Sequence, residues 1–156
     1  MYRYHGYYDS GYSTMMRGFT ANDVIALNVQ PKQAHYREHI HAMAKADQLG
    51  EVHTYTENGI AKAIIGAQEY WKGRVAVWAL VGDVTSWVRF HNETSKLLQA
   101  YSKANNVLRF ELTTEADFDE SERWAEMLGF KLESVMSNFG VDGKDHKMWV
   151  ILCQQQ

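Results

Sequence analysis

Two periods of apolar residues alternate along the chain and mark out its elements in order. Ser13 to Gly18 reads as a first strand. Thr20-Ala-Asn-Asp23 has the spacing of a capping box with Asp in place of Glu, which predicts a short helix from about Ala21 to Asn28. Pro31 fits the first position of a second helix, running through HYREHIHAMAKADQ to a stop at Gly50, with Tyr36, Ile40, Met43 and Ala44 on its inner face. The clearest local signal follows. Asn58-Gly59 lies between two strand-like runs, Glu51 to Thr56 and Ile60 to Gln68, and predicts a hairpin closed by a type I′ turn.

Arg74 to Val81 is apolar on both faces, the pattern of a central strand covered on two sides. A helix between Ser86 and Ala104 comes next, with Leu97, Leu98 and Tyr101 as its inner stripe. Val107 to Thr113 then alternates Leu108, Phe110 and Leu112 against Arg109 and Glu111. Glu120 to Met127 has helical composition, and Gly129 stands where a helix end wants positive φ. Phe130 opens a strand, and Val141-Asp142-Gly143 turns the chain toward a last one, Met148 to Leu152. The predicted order is β-α-α-β-β-β-α-β-α-β-β. With no repeat or Pro/Gly/Ser-rich linker, residues 13–156 read as one domain behind a Tyr-rich arm, residues 1–12. Two readings of that arm stand, a terminus without fixed structure or a Tyr surface that orders against a neighbouring chain.

Composition narrows the function classes. A length of 156 residues suits one domain that buries roughly two thirds of the surface its unfolded chain exposes. A net charge of −3 with scattered Lys and Arg argues against nucleic acid as a partner. No apolar run approaches the roughly 20 residues that span a bilayer, and the N-terminus lacks a basic-then-apolar signal, so a soluble protein without membrane contact is expected. The lone Cys153 excludes an internal disulfide and a Cys-rich zinc site, and a reducing compartment follows. An aromatic content of 13% with five Trp suits a dense core, an interface, or both.

The run Trp124 to Val150, a helix end, Gly129-Phe130, strand, turn and strand, resembles the C-terminal half of the GNAT acetyltransferase fold. The resemblance extends from about Ser13 to Leu152 and implies an α/β (α+β) fold, a mixed, mostly antiparallel central sheet flanked by about four helices. In that family the helix reads N-x-x-A-x-x-x-Y-x-x-x-G-F. Counting back from Gly129-Phe130 places Phe118 at the asparagine and Ala125 at the general-acid tyrosine, so no catalytic residue is assigned. The family holds the pyrophosphate of acetyl-CoA with R/Q-x-x-G-x-G/A at the start of the helix after the central strand. Aligning Leu97-Leu98 puts this at Arg89-Phe90-His91-Asn92-Glu93-Thr94, without a glycine, and no cofactor is the leading expectation. If a residual acetyl-CoA site exists, Arg89, His91 and Asn92 are its candidates.

VWALVGDVTSW, SERWAEMLGF and DHKMWVI, with RGFTANDVIALNV and HYREHIHAM, resemble a narrower group, the GNAT-like internal virion protein A family of short-tailed bacteriophages. That resemblance implies a virion-assembly protein acting through protein contacts with other virion proteins or itself, in the host cytoplasm and then the particle, with Trp87, Phe90 and the Tyr arm exposed. The alternatives are an acetyl-CoA-dependent N-acetyltransferase, with a water or Glu111 deprotonating an amine, and a CoA-type binding module without chemistry. The course of the chain between Val81 and Ser95 separates them. A turn of N–H groups before two splayed strands means a cofactor, and Phe90 or Trp87 filling that space means none. Two other clusters read as solvated surface: His35, Glu38, His39 and His41, which lack a third metal ligand at recognisable spacing, and the acidic run Glu111 to Glu122.

Overall fold

The computed structural model describes residues 8–9 and 12–153. Along these the elements are β1 (Tyr8–Asp9), β2 (Tyr12–Gly18), α1 (Ala21–Ala26), a 3-10 stretch (Pro31–Tyr36), α2 (Arg37–Lys45), β3 (Glu51–Glu57), β4 (Ile60–Trp71), β5 (Arg74–Val81), α3 (Trp87–Asn105), β6 (Arg109–Glu115), α4 (Asp119–Met127), β7 (Lys131–Met136) and β8 (His146–Leu152). This is the order the apolar pattern predicts, with β1 added, and it is a mixed α/β fold with a mostly antiparallel sheet. Most of the Tyr-rich arm lies outside the described residues. Tyr8 and Asp9, expected as irregular chain, pair antiparallel with Ser13 and Tyr12.

The chain forms two compact units, Met1–Gln68 with Ala79–Lys96, and Glu69–Trp78 with Leu97–Gln156. In the first, β2, β3 and β4 form an antiparallel run, and β3 and β4 join through Asn58 and Gly59 at φ 50° and 78°, the left-handed pair a type I′ turn requires. Tyr55 and Ile64 are fully buried in it, as is Phe90 from α3. Asp23 closes the start of α1 as expected, accepting the Thr20 N–H at 2.8 Å. It also accepts both Arg17 terminal nitrogens at 2.8 Å and the Thr54 hydroxyl at 2.8 Å.

The second helix departs from expectation. Residues Pro31–Tyr36 wind as 3-10 and α2 proper ends at Lys45, short of Gly50. The Gln33 side chain gives one reason: its amide N–H donates to the Ala79 carbonyl and its Oε1 accepts the Val81 N–H, both at 2.9 Å. That bridge ties the turn to the end of β5, while Asp47 at φ 54° stops the helix beyond Lys45.

In the second unit the strands are hydrogen-bonded in the order β5-β6-β8-β7, with β5 and β6 parallel and the other pairs antiparallel. Phe110 and Trp149 form its core, and Tyr101 of α3 lies 6.1 Å from Phe110, ring to ring. Gly129, at φ 99°, ends the α4 turn as expected, and its N–H donates to the Glu126 carbonyl at 3.0 Å.

Candidate functional site

Each unit contains a buried carboxylate held by several donors, Glu57 in the first and Glu111 in the second. In the first unit, the β3 end carries Glu57, 2% exposed, whose carboxylate reaches the turn that opens α3. The Thr85 N–H donates to both carboxylate oxygens at 3.1 Å, the Ser86 N–H to Oε1 at 2.8 Å and the Thr85 hydroxyl to Oε2 at 2.7 Å. Turn N–H groups at the positive end of a helix favour an anion. Here the anion is a side chain. Sequence reasoning missed Glu57, because nothing in a glutamate at the end of a strand signals a partner 28 residues onward.

The residues aligned to the family's loop stand elsewhere. Because α3 starts at Trp87, Arg89, His91 and Asn92 lie within its first two turns. Arg89 and His91 are half-buried and Asn92 is exposed, and the buried His91 Nδ1 has no hydrogen-bond partner among the described residues. Phe90, expected as an exposed interface residue, is fully buried, with its ring 5.0 Å from Tyr55 and 5.9 Å from the exposed Trp87. Helical residues need no glycine, so their composition does not bear on the turn Gly82 to Ser86 that precedes them. Gly82 is required there by close approach, since a Cβ would meet the Asn28 carbonyl at 2.6 Å.

The second unit contains a fork. β5 and β6 pair in parallel over three positions, Arg74 with Arg109, Val75 with Phe110 and Ala76 with Glu111, and the register ends there while β6 continues to Glu115. At the fork Glu111, 4% exposed, accepts Arg74 Nη2 at 2.6 Å and Arg109 Nε at 2.8 Å. Arg109 also grips Glu133 with two bonds of 2.7 Å. Burial pushes the Glu111 carboxyl up, but the hydrogen bonds from Arg74 and Arg109 win and hold it below the usual carboxylate range. A carboxylate so saturated is a poor proton acceptor, which removes Glu111 as the general base considered from the sequence. Ala125, at the family's tyrosine position on α4, is buried and offers no proton.

The histidines of the N-terminal cluster divide between the 3-10 stretch, where His35 lies 3.9 Å from Tyr36 ring to ring, and α2, where His39 and His41 lie. No group of three or more metal-ligating side chains converges among the described residues.

The residues at the start of α3 fit a phosphate in kind, since two N–H groups and a hydroxyl there already close on a carboxylate.

No family model matches the chain, and no curated protein matches it. Solved structures do. yncA from Salmonella typhimurium, with its cofactor acetyl-CoA, aligns with a TM-score of 0.70 at 15% identity over 92% of this chain and 95% of that one. A GNAT-family acetyltransferase from Bacillus anthracis aligns at 0.69 and 14% over 95% and 98%. RimL, a ribosomal L7/L12 alpha-N-protein acetyltransferase in complex with coenzyme A, aligns at 0.70 and 12% over 89% and 93%. Nothing in these comparisons supports the narrower resemblance to phage virion proteins. The expectation of no cofactor is corrected by the same neighbours, two of which hold acetyl-CoA or coenzyme A. It rested on missing glycines at positions that prove to be helical. The chain has the fold of the GNAT acetyltransferases.

Proposed function

We propose that the protein is an acyl-CoA-dependent N-acyltransferase with a non-standard phosphate site. The observation that carries this reading is the parallel pairing of β5 and β6, which stops after Ala76 and Glu111 in a chain whose structural neighbours include proteins with acetyl-CoA and coenzyme A. Acetyl-CoA would supply an activated thioester carbonyl. Arg89, His91 and Asn92, near the start of α3, are the side chains that would meet its phosphates. Glu57 keeps the preceding turn in shape, and its charge weakens the hold on a dianion. The Arg74–Glu111–Arg109 network fixes the fork, so its role is to position and not to move protons. With alanine at position 125, no side chain at that position protonates the leaving thiolate.

Thiol release from acetyl-CoA in the presence of a primary amine tests the proposal. Release above the amine-free rate, with the acetylated amine identified by mass, is the expected result. Acetyl-CoA that stays intact across polyamine, lysine-peptide and N-terminal-peptide acceptors would contradict it.

A further inference from the structure

Asn58 and Gly59 shape the β3–β4 hairpin, and the same two residues carry chemistry of their own. Three described asparagines adopt positive φ, Asn58 at 50°, Asn106 at 49° and Asn138 at 53°. Of these, Asn58 alone precedes a glycine, since Val107 and Phe139 follow the other two. Asn58 and Gly59 are both exposed, and a Cβ built on Gly59 would meet nothing within 4 Å, so no neighbouring side chain crowds the turn.

The hydrogen bonds around the pair are one-sided. The Ser13 N–H donates to Asn58 Oδ1 at 2.9 Å, and the Asn58 N–H donates to the Ser13 carbonyl at 2.6 Å. The Gly59 N–H, the Asn58 carbonyl and Asn58 Nδ2 have no partner among the described residues. The peptide between Asn58 and Gly59 can therefore turn over without losing a hydrogen bond. Flipping it converts the type I′ turn to type II′, which also closes a two-residue hairpin, and moves ψ of Asn58 to about −120°. At that angle the Gly59 nitrogen faces the side-chain amide carbon of Asn58, as closure of a five-membered ring requires. Glycine accepts either sign of φ at the second position, while strain at Asn58 keeps the flipped turn a minor state.

We propose that Asn58 is a self-modification site, deamidated through a succinimide with water as the only co-reactant. The Gly59 nitrogen gives its proton to solvent and bonds to Asn58 Cγ. Charge collects on Oδ1, and a donor placed as the Ser13 N–H is favours it there. The Cγ–Nδ2 bond then breaks, and the amide nitrogen takes a proton from water and leaves as ammonia. Water opens the imide in one of two ways. Attack at Cγ leaves aspartate, whereas attack at the main-chain carbonyl leaves isoaspartate, which routes the backbone through the side chain and lengthens the turn by one methylene. The longer turn disturbs the pairing of Glu57 with Ile60, and Glu57 is the residue that holds the turn before α3.

Peptide mapping by mass spectrometry of the folded full chain, kept at mildly alkaline pH and sampled over days, tests the proposal. Deamidation at Asn58 should lead that at Asn106 and Asn138 by about tenfold or more, with isoaspartate among the products. Its rate should also rise with pH, by about tenfold per unit, because the attacking nitrogen must be deprotonated. A smaller lead, a rate indifferent to pH, or aspartate as the sole product overturns the succinimide. The same chain unfolded in urea isolates the part played by the fold. A folded rate within about tenfold of the unfolded one supports the peptide flip, and a greater slowing shows that the hairpin protects Asn58 and overturns the site. The isoaspartate form, separated by ion exchange, should melt below the unmodified chain, and equal melting would break the link to Glu57.

Discussion

At the scale of single residues, the chain keeps two of its buried carboxylates charged by giving each more than one donor. Asp23 and Glu111 follow the same logic in different units. Burial pushes the Asp23 carboxyl up, but hydrogen bonds from Arg17, the Thr20 N–H and the Thr54 hydroxyl outweigh it and hold the group below its ordinary range. A carboxyl lowered in the folded state adds stability that is present above its unfolded value, about 4, and is lost as pH falls through the folded one. Urea midpoints of the wild-type chain should therefore hold steady from pH 7 to about 5 and fall below that. Asp23→Asn should cost about 2–3 kcal/mol at pH 7 through lost charged hydrogen bonds, and should flatten part of the acid decline. A midpoint that falls as steeply in D23N as in wild type would remove Asp23 from this account. Only the cap was legible in the sequence. Asp23 was readable as a cap residue from its spacing to Thr20, but Thr54 lies 31 residues away, and Arg74 lies 37 from Glu111.

Elements were legible where one local interaction decides them. Asn58-Gly59 needs only two left-handed residues, and Gly129 only one, so each could be placed from its own tripeptide. α3 was placed to within a residue at each end, whereas the start of α2 was less legible because a distant group sets it. Gln33 bonds to β5 at Ala79 and Val81, and Glu57 occupies the turn before Trp87. The start of α3 at Trp87 put Arg89 to Thr94 inside a helix and undid the argument from missing glycines. Glu57 is thus a place where structural order and ligand affinity pull in opposite directions. Glu57→Gln keeps an oxygen for the Thr85 and Ser86 N–H groups and removes the charge. It should lower the melting temperature, since hydrogen bonds to a charged group are each worth about 1.5–3 kcal/mol and become neutral ones. It should also tighten acetyl-CoA several-fold, by relief of repulsion between like charges. Calorimetry on E57Q checks both, and weaker acetyl-CoA binding in a folded variant would show that the carboxylate organises the ligand's site instead of opposing it.

For the whole molecule, the element order from β2 onward was readable because these strands and helices carry their own apolar periods, and the family resemblance followed from that order. What the order did not contain was the chemistry. The fork after Ala76 appears only when β5 and β6 are paired. The central claim is that this scaffold still binds a nucleotide thioester despite the carboxylate at its helix start. Isothermal titration of the full chain with acetyl-CoA tests it most directly. The account expects one site with micromolar affinity and, at a hundredfold excess over Kd, about 2.7 kcal/mol of added stability seen as a rise in melting temperature. No heat and no shift in melting temperature at millimolar acetyl-CoA would contradict it.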